Sequence, residues 1–333
     1  MVGSTENHVL KILRVACLIL LWTCPALAHP PAQGRPSDVQ VVNVRLPVTL
    51  SDGKTYSIAG KAYYEGSARD KVLQLAIHGI TYDHRYWDTP SINGVDYSYA
   101  RFMARRGYVV LAIDQLGAGK SDRPDGDFLD LAETSSSIAQ LVSKFRSRNN
   151  PLRVGFEQIV LVGHSFGGLT ATAAQASCSC ADGLVISGWL HDAVPPVDPA
   201  VIQSLLGEPY VTIPQPIRQI FYHLPAADPD VMAFDEQNIS TTLTRGQLLS
   251  IVASFTTSPS SALAGMVTVP VLVQVGQFDT LMSQRTVSNE DASYAASPSV
   301  TTQELPNQGH VLNLHPGNEE GWRYVEAWLD YRF

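Results

Sequence analysis

From Val39 to Leu50 the chain contains strand-like alternations of apolar and polar residues. The turn signal Ser51-Asp52-Gly53-Lys54 follows, and Thr55 to Tyr64 resumes as a strand, so the pattern predicts an opening hairpin. Beyond it the period changes. Short apolar runs at Val72–Ile77, Tyr108–Ile113, Gln158–Val162, Leu184–Ser187 and Val269–Val275, with a strand-like Val300–Leu305, alternate with helical segments at Tyr97–Arg106, Leu131–Arg146, Phe166–Ala176, Met282–Ala295 and Glu319–Tyr331. Fully apolar short strands separated by helices predict a mostly parallel central sheet covered on both faces, an α/β architecture.

One interval breaks this rhythm. Between Trp189 and Met266 prolines are frequent (Pro195, Pro196, Pro199, Pro209, Pro214, Pro216, Pro225 and Pro229 among them) and the helical pieces are short, such as Ile217–Leu224 and Thr244–Phe255. A structureless stretch of this length is unusual inside a compact domain. The interval, about 189–266, reads as a helical lid inserted between two sheet strands, and Trp189, Tyr210, Phe221, Tyr222, Met232 and Phe234 are its candidates for an apolar pocket wall.

The 333 residues, 45% of them hydrophobic, suit one large domain with an insertion. A net charge of −8 argues against a nucleic-acid partner, which needs a basic face. Lys11 and Arg14, the apolar run Val15–Trp22 and Ala26-Leu27-Ala28 predict a secretory signal over residues 1–28, too short to span a bilayer. The expected location is the secretory pathway or beyond, with no stable membrane insertion. Removal of that segment leaves Cys178 and Cys180, either as thiols or as a local disulfide. Asn238-Ile239-Ser240 is a glycosylation sequon usable in a secreted chain.

The strongest chemical signal is Gly163-His164-Ser165-Phe166-Gly167, placed after an apolar strand and before a small-residue helix. A G-x-S-x-G in that setting puts a serine on a sharp strand-to-helix turn, with glycines where strand and helix must approach. A serine hydroxyl needs a base. His310 lies in a loop after the last strand, and His315 is its competitor. The base needs an orienting carboxylate. Asp279 follows the buried strand Val271–Val275, with Asp192 as runner-up. The order is then Ser165, Asp279, His310. Two backbone amides should bind an oxyanion: Phe166, next to the nucleophile, and Ile80, in the loop His78-Gly79-Ile80-Thr81. His78 reads as a buried loop-stabilising residue, and Asp114 as a support for its loop through Gly119.

His78-Gly79, the run Ala112–Ser121, the serine elbow, Gly276-Gln277-Phe278-Asp279 and Gly309-His310 together resemble the α/β-hydrolase superfamily from about Val72 onward, in particular its lid-bearing branch. The resemblance implies an α/β-hydrolase fold and esterase, lipase, lactonase or carbon–carbon hydrolase chemistry. Ser165 departs from the aspartate elbow of epoxide hydrolases and dehalogenases. The segment Thr81–Asp88 resembles a feature of secreted members, with aromatics expected at the pocket.

The expected activity is hydrolysis of a small to medium apolar ester or lactone through an acyl-enzyme, with no cofactor and no metal. Two alternatives use the same residues: carbon–carbon cleavage or lactone formation, and a non-catalytic binding role on the same fold. Reaction with a serine-directed phosphonate separates the last from the others. Oligomeric state is not readable.

Overall fold

The computed structural model describes residues 38–191, 198–257, 259–282 and 287–333. The signal segment 1–28 and Asp192 lie outside the described residues. Eight strands form the main sheet: β1 (Gln40–Thr49), β2 (Thr55–Tyr64), β3 (Leu73–Ile77), β4 (Val109–Ile113), β5 (Ile159–His164), β6 (Gly183–Ser187), β7 (Val271–Gly276) and β8 (Val300–Leu305). Their order is β1-β2-β4-β3-β5-β6-β7-β8. The opening hairpin pairs antiparallel from Gln40↔Tyr64 to Thr49↔Thr55, and β2 meets β4 antiparallel. Every other pairing is parallel. This is the α/β-hydrolase fold.

Alternate residues of the central strands feed two cores. Leu75, Ile77, Leu111, Ile113, Ile159 and Leu161 pack with Ile138 and Leu141 of α2 (Leu131–Arg146) and Leu169 of α3 (Phe166–Cys178). Ala76, Val110, Ala112, Val160 and Val162 pack with Phe102 and Met103 of α1 (Tyr99–Ala104) and Val325 and Trp328 of α9 (Asn318–Arg332). Both faces are therefore covered, which is why these strands read as uninterrupted apolar runs. The parallel strands present their carboxyl ends along one edge, where loops carry side chains free of strand pairing.

Residues between β6 and β7 form the insertion: α4 (Pro199–Leu205), α5 (Gln215–Arg218), α6 (Pro229–Phe234), α7 (Arg245–Phe255), α8 (Ser261–Ala264) and a two-stranded ribbon, Tyr210–Val211 with Leu243–Thr244. Two of its prolines start helices. Asp198 accepts the Ala200 amide ahead of Pro199, and Asp228 accepts the Asp230 amide ahead of Pro229, as proline at the first helical position allows. The expected helix over Met282–Ala295 is instead a 3₁₀ helix, Val287–Ala292, with residues 283–286 outside the described ones. The segment Ser288-Asn289-Glu290-Asp291 has no apolar stripe and favours turns over α-helix. Cys178 and Cys180 are joined in a disulfide, with Ser179 left-handed between them at φ 46°.

Candidate active site

Ser165 sits between β5 and α3 at φ 54°, ψ −124°, a strained backbone for a residue with a side chain. The turn is closed by backbone packing. A Cβ on Gly163 would stand 2.3 Å from the Gly167 carbonyl oxygen, and one on Gly167 would stand 2.2 Å from that of Ile77. Neither contact has a flexible end that could move aside, so both positions require glycine. The Ser165 amide donates to the Ser187 carbonyl at 2.7 Å, tying the turn to β6.

His310 lies after β8 and Asp279 after β7, as the sequence order requires. The Ser165 hydroxyl is 2.8 Å from His310 Nε2, and His310 Nδ1 is 2.9 Å from Asp279 Oδ2. Asp279 Oδ1 accepts the amides of Leu281 and Met282 at 2.9 and 3.1 Å. All three side chains are buried, with Ser165 7% exposed. Position in sequence thus selects the residues that geometry brings together.

His310 rather than His315 meets Ser165, and His315 holds the loop that carries His310. His315 Nε2 accepts the amides of His223 and Gly309 at 3.0 and 3.2 Å, while Nδ1 donates to the Val311 carbonyl. Burial pushes its pKa down to about 4. A lone histidine five residues from another carries no sequence signal for this role. His164, inside the elbow, is a second supporting imidazole that sequence reasoning missed. Its Nε2 donates to the His310 carbonyl at 2.9 Å, and burial holds it neutral, well below the ordinary histidine range.

The loop after β3 lies against the elbow. A Cβ on Gly79 would stand 3.0 Å from the Ser165 Cβ. The amides of Ile80 and Phe166 have no hydrogen-bond acceptor among the described residues. His78 is the loop-stabiliser expected. Its Nε2 accepts the Gln115 amide at 2.9 Å, Nδ1 donates to the Gly79 carbonyl at 2.7 Å, and burial lowers its pKa. Asp114 does more than support Gly119. Its carboxylate accepts from Lys120 N, His84 N and His84 Nδ1. Burial pushes this carboxyl up, and His84 with the Lys120 amide more than offsets that, leaving its pKa lowered.

Asp83, His84 and Asp114 bring possible metal-ligand atoms within 4.8 Å of one another. The carboxylates are already committed, Asp83 to the Arg85 guanidinium at 2.6 Å and Asp114 as above.

Tyr82, Tyr86 and Trp87 are buried in the second core, and Tyr86 stacks on His164 at 4.4 Å. Within the insertion, Tyr210 donates to the Pro124 carbonyl, Tyr222 donates to Asp235, and Trp189 stacks on Phe255. These three pack the insertion down. Phe221 has its ring beside the site, 5.7 Å from the His310 ring. Asn238 is exposed on a short π-helix, Asp235–Ile239. No helix among the described residues is long and apolar enough to cross a membrane.

A parallel sheet with a serine elbow, and a histidine and an aspartate supplied from its last two strand ends, defines the α/β-hydrolase class. Comparison with known proteins agrees. The signature of the Alpha/beta hydrolase family matches residues 75–319, so the chain belongs to that family. A search of curated proteins returns no match. Among solved structures, the chain is similar to a thermophilic esterase from Thermogutta terrifontis (19% identity, TM-score 0.63, 86% of this chain and 98% of that one). It is also similar to a monoacylglycerol lipase from Paleococcus ferrophilus (16%, 0.60, 89% and 100%) and to an esterase from Exiguobacterium antarcticum (16%, 0.60, 86% and 98%). At these identities the likeness is one of fold.

Proposed function

We propose that the protein is a serine hydrolase of carboxylic esters or lactones, working through an acyl-enzyme. The observation that carries this is the continuous chain from the Ser165 hydroxyl through His310 to Asp279, at 2.8 and 2.9 Å, in a buried site. Asp279 fixes His310 with its proton on Nδ1, which leaves Nε2 to accept the Ser165 proton. Ser165 attacks the carbonyl carbon, and the amides of Phe166 and Ile80 bind the oxyanion that forms. His310 protonates the leaving alcohol, then takes a proton from a water that attacks the acyl carbon, and hands that proton to the Ser165 oxygen as the acid departs.

Phe221 beside His310 and the burial of all three residues favour a small to medium apolar substrate. The insertion acts as the lid of the site. Secretion through residues 1–28 and glycosylation at Asn238 belong to the same proposal. A glycosidase-sensitive mass shift that Asn238→Gln removes would support them, and a mature protein of unchanged mass would overturn the glycosylation.

The test of function is hydrolysis of a p-nitrophenyl ester series beside Ser165→Ala. Turnover lost in the variant supports the mechanism, and the chain-length profile sizes the pocket. No turnover on any ester, together with no phosphonate labelling of Ser165, would overturn it in favour of a binding role.

A further inference from the structure

The residue after Ile80 is under unusual constraint. Thr81 is a β-branched residue held at φ 62°, a backbone region that such side chains rarely adopt. What holds it comes from the insertion. Arg218 Nη1 donates to Thr81 Oγ1 at 2.6 Å. The Thr241 amide donates to the Thr81 carbonyl at 2.8 Å, and the Thr241 hydroxyl donates to the Tyr82 carbonyl at 2.9 Å.

Arg218 is itself locked. Its Nη2 donates to Asp235 at 2.6 Å, and Asp235 also accepts from the hydroxyls of Tyr82 and Tyr222. The guanidinium lies 4.9 Å over the Tyr82 ring. Arg218 and Asp235 are both nearly inaccessible to water, at 4% and 2% exposed. Burying a charged pair against its desolvation cost is a poor route to stability alone. Its geometric effect is specific, because a rigid fork of donors reaches one hydroxyl on the loop that packs against Ser165.

We propose that Arg218 is a positioning residue for the oxyanion loop. By holding Thr81 left-handed from the insertion, it fixes the peptide from which the Ile80 amide is presented to the reacting carbonyl. The insertion thus contributes directly to the geometry of the oxyanion loop. This rests on the ester-hydrolase reading above, in which Ile80 is a donor.

The test compares Thr81→Val, Thr81→Ser and Thr81→Gly in the full-length mature protein, leaving the buried Arg218–Asp235 pair intact. Removal of a whole oxyanion donor costs about 10²–10³ in kcat. Misdirecting one should therefore lower kcat roughly 10- to 100-fold in Thr81→Val, with KM within about twofold of wild type. Amide hydrogen exchange of residues 79–82 should accelerate, while that of α7 stays unchanged. Thr81→Ser keeps the accepting oxygen and should match wild type in both readouts. Thr81→Gly tolerates the backbone but loses the oxygen, and should fall below Thr81→Ser in kcat with faster loop exchange. This second comparison decides the matter if the valine variant does not fold.

Equal kcat and equal exchange for the serine and for the valine or glycine variants would overturn the proposal, as would slowing that appears wholly in KM. A wild-type protein inert toward every ester would instead overturn the hydrolase reading and the oxyanion role with it. The exchange data would still show whether Arg218 holds the loop.

Discussion

Replacing Asp279 with asparagine changes one oxygen to an NH₂ group, and the structure dictates which. Oδ1 accepts the amides of Leu281 and Met282, so the remaining carbonyl oxygen of the new side chain must stay there. The NH₂ group then faces His310 Nδ1, in place of the carboxylate oxygen now 2.9 Å away. An amide donor there forces Nδ1 to become an acceptor and moves the imidazole proton to Nε2. Nε2 lies 2.8 Å from the Ser165 hydroxyl and can then no longer take its proton. A wrong tautomer at this position costs on the order of 10⁴ in kcat, or about 5 kcal/mol of barrier at ~1.36 kcal/mol per tenfold. The fold should persist, because the replacement is isosteric and its two backbone hydrogen bonds survive. The assay is steady-state hydrolysis of a p-nitrophenyl ester at pH 7–8 beside a thermal melt. An Asp279→Asn protein that melts with wild type and keeps more than about a tenth of its kcat would refute the reasoning.

Other expectations follow from single contacts. His315 has a folded pKa of about 4 against 6.5 when free, so below pH ~6.5 the unfolded chain binds the extra proton. Its contribution is fully present above that pH and is lost as pH falls toward 4, by about 3 kcal/mol in all; chemical denaturation from pH 7 to 4 should show that loss, and His315→Gln should reduce it. Gly309→Ala would place a Cβ 2.5 Å from the His223 amide nitrogen and 2.8 Å from the Phe221 carbonyl oxygen. The loop carrying His310 would be pushed from the insertion, and kcat should fall at least tenfold, a result checked by active-site titration beside turnover. Reduction of the Cys178–Cys180 disulfide should leave ester turnover unchanged, because the pair lies at the far end of α3 from Ser165, about 20 Å away at ~1.5 Å per residue. Thiol counting by mass, run in parallel with the assay, would detect any dependence.

What could be read from the chain divides along a physical line. The runs around Leu75, Leu111, Leu161 and Val273 are legible because both faces of those strands are buried, so composition alone marks them. Ser165 is legible because the turn around it has local steric demands that only glycines meet. Asp279 and His310 follow from strand ends. The insertion is less legible for two reasons. Pro199 and Pro229 read as breakers, although each begins a helix capped by the aspartate before it. The Arg218–Asp235–Thr81 network joins residues far apart in sequence, and no periodicity records such a partnership. Tyr82, Tyr86 and Trp87 misled in the opposite sense. Large aromatics in a loop suggest a ligand, yet these fill the core behind the elbow. His315 and His164 show a similar limit, since a histidine's work is set by what its two nitrogens meet.

The elbow glycines make the three central positions unequal as raw material for new chemistry. Any side chain at 163 or 167 collides with main-chain atoms of the neighbouring strand or turn, so a library that varies them samples unfolded proteins. Position 165 already carries a side chain at φ 54°, ψ −124°, so the turn itself admits a residue other than glycine there. A different nucleophile is thus one substitution away, while the platform that displays it is closed to gradual change. Directed evolution for altered catalysis should randomise 165 together with the insertion around Phe221 and keep both glycines fixed.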